Sequence, residues 1–371
     1  MCPGLNAFYD NLCCWVVCPF CMSTRCFSVN GRSFVVAGVS DTDRYFNAIE
    51  GRFEARFQHF CRLFLAEDAV ALDVGANIGV TSLILSERLR SGRVFAFEPG
   101  ETVFQLLQEN LKNNAVSNVD AYHQAVSDKT QRVRFLENSA FGYIEPDGES
   151  DSVSASDIEG FALDDLVGRL GLERLDFIKV DIEGHEPQFF DGATATLARF
   201  NPVVYFELNS WCLISQSRNH PLDFMRRITS QFEFVYRVNK SESEAVLLER
   251  MDADPVKAAM KLVHDNMACF NSVNDIVVTN NPHALHPGVV SLMTKCGDLQ
   301  QTLDLAKQEN EDLRRQLEAG SMEREKMAGL LKASRRELDA LRQQIGETLK
   351  SRLWKYTKTY KTLRKLGARK P

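Results

Sequence analysis

The stretch Ala69-Val70-Ala71-Leu72-Asp73-Val74-Gly75-Ala76-Asn77-Ile78-Gly79 constrains the fold more than any other part of the chain. It begins as an apolar run, too short for a helix and rich enough in Val and Leu for a buried strand. The run stops at Gly75. Two glycines four apart then open a segment in which Ile78, Leu85 and Leu89 share one helical face, widened by Val80, Leu83 and Ile84. Strand, glycine turn and helix form the opening unit of a doubly wound α/β domain. Such a turn lets a ligand approach the backbone, and the helix N-terminus offers free N–H groups. The alternative is a turn that only packs helix on strand.

A second apolar run, Arg93 to Phe97, ends in Glu98. An acid at the tip of the second strand is placed to accept hydrogen bonds from both hydroxyls of a ribose. The ligand is therefore expected to be a nucleoside. A dinucleotide needs a glycine where this chain has Asn77, so a pyrophosphate would be crowded. Asp73 suits a ligand with a cationic end. S-adenosylmethionine fits these residues better than NAD.

The following chain alternates strand and helix patterns. Helices are expected from about Thr102 to Asn113, from Leu163, over Gln188 to Arg199 and over Asp223 to Gln231. Strands are expected at Asn118 to Ala125, Arg132 to Leu136, Leu175 to Val180, Val203 to Phe206, Phe232 to Val238 and Asp275 to Thr279. Glu137 to Glu159 reads as a long surface loop. Before the core, Ser28 to Glu67 forms a lead-in with a strand at Arg32 to Val39 and a helix from Asp43 to Phe64. The alternation implies a mostly parallel seven-stranded sheet with helices on both faces and a ligand across the strand carboxyl ends.

The chain has 371 residues, 44% hydrophobic and 25% charged, enough for a substantial core and more than one unit. No apolar run approaches the ~20 residues of a membrane span, and no signal peptide is expected. Residues 1–33 are cysteine-rich; Cys18-Pro19-Phe20-Cys21, with Cys13, Cys14 and Cys26 nearby, could hold zinc or be an apolar segment. The remaining cysteines are scattered, as in a reducing cytoplasm. Residues 34–288 are expected to form the main domain, 289–349 a coiled coil and 350–371 a basic aromatic tail. Leu299, Leu303, Ala306, Leu313, Leu317, Met327, Leu331, Leu338, Leu341 and Ile345 keep a four-three spacing, interrupted at Asn310, Gly320, Arg324 and Ser334. Self-association as a dimer in register through Asn310 is favoured over a helix folded back on the domain. The tail carries nine basic residues after Glu347 and no acid, while the whole chain has a net charge of −6. Peripheral contact with the inner, anionic face of a membrane is expected, and nucleic acid is not, because the body is acidic.

Several strand ends should meet at one sheet edge. They bring Asp73 and Gly75, Glu98, the run Asp181-Ile182-Glu183-Gly184-His185-Glu186, and Glu207-Leu208-Asn209. Unpaired buried carboxylates are costly, so a functional pocket explains them better than a core. A hydroxyl acceptor must lose a proton, and His185 titrates nearest neutrality. Asp181, Glu183 and Glu186 are the other candidate bases. A magnesium ion held by Asp181, Glu207 and Asn209 is a further option.

The motifs Leu72 to Gly79, Phe97-Glu98-Pro99, Leu163-Asp164-Asp165-Leu166, Ile178 to Glu186 and Phe206-Glu207, taken in order, resemble the FkbM-type methyltransferases. The Asp-x-Glu-Gly-His-Glu stretch makes the resemblance specific. It implies the Rossmann-like class I methyltransferase fold and S-adenosylmethionine-dependent O-methylation of a hydroxyl, often on a sugar or polyketide-like product. In that pattern Asp73, Gly75, Ala76, Asn77 and Gly79 line the methionine end and Glu98 holds the ribose. Ala125, Val126 and Ser127 lie beside the adenine. The resemblance does not assign the base. The Ser351-x-x-Trp354 ending is similar to those of bacterial enzymes of surface-polysaccharide assembly and points to a cell-surface glycan. Two other readings are carried: a nucleoside-binding scaffold without turnover, and an NAD-dependent sugar enzyme.

Overall fold

A strand whose two faces are both apolar must be covered on both sides. The computed structural model shows how this is done, and describes residues 23–40, 42–137, 142–144, 155–239, 247–281, 283–285, 303, 306–315 and 324–348. A hairpin of β1 (Thr24–Val29) and β2 (Arg32–Ala37) leads into short α1 (Arg44–Asn47) and α2 (Ala55–Phe64). Then follow β3 (Val70–Val74), α3 (Val80–Arg88), β4 (Arg93–Phe97), α4 (Glu101–Asn113) and β5 (Val119–Tyr122). A side sheet takes β6 (Ala125–Ser127), β7 (Gln131–Leu136), β8 (Tyr143–Ile144) and β9 (Ala155–Ala162). The chain returns through α5 (Leu163–Arg169), β10 (Phe177–Val180), α6 (Glu186–Asp191), α7 (Thr194–Phe200) and β11 (Val203–Asn209). It ends with α8 (Ser210–Ser215), α9 (Pro221–Gln231), β12 (Phe234–Asn239), β13 (Leu247–Arg250), α10 (Pro255–Cys269), β14 (Val273–Thr279), α11 (306–315) and α12 (Arg324–Thr348).

Among the described residues the main sheet has eight strands, in the order β13-β12-β14-β11-β10-β3-β4-β5. This corrects the expected seven. Four neighbour pairs, from β11 across to β5, run parallel, and the three pairs beyond β11 run antiparallel. The added strand, β13, is a short edge strand that pairs only with β12. Side chains alternate between the two faces, as the pleat requires. Phe177, Val203 and Tyr205 join one core with α2, α3 and α4, while Ile178, Val204 and Phe206 join the other with α5, α6 and α9. The lead-in belongs to the first core. Phe57 and Phe60 of α2 pack against Tyr205, with ring centroids 5.3 and 5.1 Å apart.

Other expectations shift. The lead-in is a hairpin and two short helices, so the boundary drawn between 33 and 34 falls inside the hairpin. Asn118 to Ala125 is not one strand: β5 stays in the main sheet, and after His123-Gln124 the chain enters β6, which pairs with β9. Part of the expected loop Glu137 to Glu159 is β8 and β9; the rest lies outside the described residues. The segment Cys13 to Cys21, the tail 350–371 and much of the expected coiled coil also lie outside them. Asn310, expected to meet its counterpart in a dimer, donates to Ser334 Oγ of the same chain at 3.1 Å, so α11 and α12 touch. No helix among the described residues is long and apolar enough to cross a membrane.

Candidate active site

Parallel strands end together, so whatever follows β3, β4, β10 and β11 is gathered at one rim. A cavity of about 510 Å³ opens there, within the range usual for small-molecule sites. It is lined on one side by Gly75, Ala76, Asn77, Glu98, Ala125 and Val126, and on the other by Asp181, Glu183, His185, Glu207 and Asn209. Most of the residues singled out in the sequence are therefore brought together. Asp73, Gly79, Ser127 and Glu186 are not part of the lining.

The turn after β3 is shaped by its neighbours. Gly75 has φ +80°, and a Cβ there would lie 1.8 Å from the Asp181 carbonyl oxygen. Its glycine is required by the crossing chain after β10. The N–H groups of Gly75 and Ala76 both donate to the Phe97 oxygen at 3.0 Å. Asn77, with φ 51°, donates its N–H to Glu98 Oε2 at 2.8 Å, and Ile78 N–H donates to Asn77 Oδ1 at 2.7 Å. The turn N–H groups expected to be free are thus engaged within the protein. Asp73 is fully buried, and its Oδ2 accepts from Thr81 Oγ1 at 2.7 Å and Ser82 Oγ at 2.6 Å. It ties β3 to α3 rather than facing the cavity; Thr81 takes the lining position. Its Oδ1 is enclosed without a hydrogen-bond partner.

Glu98 stands at the β4 tip as expected. Its Oε1 accepts from Gly100 N–H at 2.8 Å, and burial pushes its pKa up to about 7. A carboxylate has about four lone-pair sites, so two backbone donors leave capacity for two hydroxyls. Beside it, Ala125 and Val126 are joined by Phe135, Tyr143 and Ile144 in an apolar wall. Glutamate, apolar wall and close-approaching turn fit the nucleoside that the sequence calls for.

The other side is crowded with charge. Lys179 is buried in β10 and donates to Asp181 Oδ2 at 2.9 Å. Burial works against its charge, but Asp181 and Asp73 outweigh burial and hold its pKa above the ordinary value. Glu183, with φ 50°, accepts from the Cys212 thiol at 3.1 Å, and burial raises its pKa to about 7. Burial, then Asp181 and Glu183, push Glu207 well up. Asn209 Nδ2 donates to Glu207 Oε1 at 3.3 Å, and its Oδ1 caps α8. The three oxygen donors proposed for magnesium are thus engaged by a lysine and by one another. Among the described residues, no group of three or more His, Cys, Asp and Glu side chains is arranged to hold a metal ion.

His185 and Glu186 differ from expectation. Burial lowers the His185 pKa to about 4. Ser127 Oγ donates to Asp128 Oδ1 at 3.0 Å and lies 2.9 Å from His185 Nε2, so Nε2–H donates to Ser127. A neutral ring with so low a pKa is a weak base. Glu186 Oε1 accepts from Ile182 N–H at 3.2 Å and Gly184 N–H at 3.4 Å, closing the loop after β10, and burial raises its pKa to about 8. The sequence reading also missed lining residues. Lys179 sits inside a quoted motif, and Trp211 and Cys212 follow Glu207-Leu208-Asn209 after Ser210. Tyr45 and Glu54 of the lead-in carried no signal, because only folding brings them to the rim.

Residues 73–237 match the family model described as the methyltransferase FkbM domain. Over these residues the chain is similar to an FkbM methyltransferase domain. The match runs from β3 into β12, so Tyr45 and Glu54 line the cavity from outside it. Among curated relatives, the AMB antimetabolite synthetase AmbE of Pseudomonas aeruginosa is 30% identical over 180 residues, 38% of this chain and 8% of that protein. The hexuronic acid methyltransferase AglP of Haloferax volcanii is 33% identical over 152 residues, 40% of this chain and 60% of that protein. The 2-O-methyltransferase NoeI of Sinorhizobium fredii is 24% identical over 197 residues, 49% of this chain and 79% of that protein. The chain thus spans less than two thirds of the length of the first two relatives. Among solved structures, the FkbM methyltransferase of Methylobacillus flagellatus has a TM-score of 0.37 at 17% identity, covering 58% of this chain and 44% of that one.

Proposed function

We propose that the chain is an S-adenosylmethionine-dependent O-methyltransferase acting on a hydroxyl of a sugar in a cell-surface glycan, on the cytoplasmic side of the membrane. The observation that carries this reading is one cavity with Glu98 on one side and Glu183 on the other. S-adenosylmethionine, when bound, supplies an electrophilic methyl group. Glu98 would hold the ribose hydroxyls, with Ala125 and Val126 beside the adenine; Gly75, Ala76 and Asn77 would border the methionine end. An acceptor hydroxyl must lose its proton as its oxygen takes the methyl, and a base with a pKa near the working pH serves best. Glu183, held near 7 by burial, meets that condition better than His185 at about 4. Ser127 and His185 would fix the adenine wall to the loop after β10. The sugar acceptor is supported by the two relatives named for a hexuronic acid and for 2-O-methylation. Methyl-labelled S-adenosylmethionine incubated with the full chain and extracted surface glycan should place label on a sugar oxygen. Cofactor binding with no label on any glycan fraction would remove the glycan from the proposal.

A further inference from the structure

The cavity's two ends are chemically unlike. Between β4 and β11 lie β3 and β10, so the strand tips that carry Glu98 and Glu207 stand three strand spacings apart, about 14 Å. The Glu98 end is walled by apolar side chains. The far end is bordered by Glu54, Glu183 and Glu207, and by Trp211 and Gln216 from α8 and just beyond it.

Three observations at the far end point to a ligand. Trp211 lines the cavity yet is 69% exposed, so its indole is offered at the mouth instead of being packed away. Gln216 Oε1 is enclosed and has no hydrogen-bond partner, a cost that a ligand donor would remove. Glu54 and Glu183 both hold the left-handed conformation, with φ 54° and 50°, which non-glycine residues keep where the surroundings impose it, commonly at binding sites. The charges there are one-sided. The Lys179 ammonium is engaged by Asp181, burial keeps His185, Tyr45 and Cys212 neutral, and the other ionisable groups at this end are carboxyls. Burial raises Glu183 and Glu207, while Glu54 stands exposed at the rim. A further carboxylate would be desolvated at this end with the Lys179 ammonium already taken, whereas hydroxyl and ammonium donors would meet acceptors.

We propose that this end is the acceptor subsite, that it takes a neutral or amine-bearing sugar ring laid on Trp211, and that it turns away acidic sugars. The proposal rests on the reading of the cavity as a methyl-transfer site. A pyranose presents one face of C–H groups to the indole while its hydroxyls reach Gln216 Oε1 and the glutamates. Glu54, from outside the family domain, makes this specificity a property of this chain.

The test uses the full chain saturated with S-adenosylhomocysteine, whose own binding is followed by calorimetry. Methyl glucoside, methyl glucosaminide and methyl glucuronide are then titrated. The first two should bind at least about tenfold more tightly than the third. Trp211→Ala should weaken them by about tenfold and leave S-adenosylhomocysteine affinity unchanged. Glu54→Gln should raise glucuronide affinity severalfold. Glucuronide binding as tight as the others, sugar binding unaffected by Trp211→Ala, or no sugar binding to the loaded chain would overturn the subsite and leave methyl transfer standing. Failure of S-adenosylhomocysteine to bind would overturn both.

Discussion

Glu183 and His185 are two positions apart, yet their environments drive them in opposite directions. Burial makes the glutamate easier to protonate and the histidine harder. Glu183→Gln should lower turnover by about 100-fold or more with cofactor affinity kept, because the acceptor's proton then has no recipient. His185→Ala should cost less than that; single-turnover rates compare the two, and the reverse order would return the base to His185. Glu186 gives a stability prediction instead. Its pKa is raised to about 8, so its stabilising contribution is complete below the ordinary value of 4.5 and is lost as pH rises through about 8. His185 acts oppositely, its contribution present above 6.5 and lost as pH falls through about 4. Glu186→Gln cannot titrate. Its stability relative to the natural chain should rise by about 2 kcal/mol between pH 6.5 and 9, as read by denaturant melts; an unchanged difference would remove Glu186 as the titrating group. The identity of the carboxylates was legible in the sequence, but their roles were not. Nothing in Asp-x-Glu-Gly-His-Glu says that Glu186 turns back to close its own loop while Glu183 lines the cavity.

At the scale of elements, the glycine turn was found for one reason and is held by another. Its position after β3 followed from where the apolar run stops. Its necessity follows from the Asp181 carbonyl, which is distant in sequence. Gly75→Ala should therefore destabilise the fold by about 3 kcal/mol or more, since both φ and space forbid the methyl group. Gly168, in α5, is a control: a Cβ there meets nothing within 4 Å. Gly168→Ala should be neutral or stabilise by about 0.5–1 kcal/mol. Equal losses at the two sites, measured by thermal melting, would remove the steric account. The parallel strands could be read because their runs are apolar on both faces. The edge was harder. Leu247–Arg250 is half charged, and alternation in Asn118 to Ala125 cannot show that the chain changes sheets at His123-Gln124. Strand direction beyond β11 depends on pairing, which periodicity does not encode.

For the whole molecule, the lead-in is structural as well as functional. It covers one face of the sheet with Phe57 and Phe60 and sends Tyr45 and Glu54 to the rim. Phe60→Ala should cost about 3–5 kcal/mol, as for other buried phenylalanines; a loss below 1 kcal/mol would mean that α2 does not cap the core. The central claim concerns what lies across the rim beside Glu98, and calorimetric titration of the full chain with S-adenosylmethionine tests it most directly. The account predicts saturable binding at one site, weakened in Glu98→Ala by about 1–3 kcal/mol, the cost of hydroxyl partners left unmade. Absence of binding, or an identical dissociation constant for the natural chain and Glu98→Ala, would contradict it.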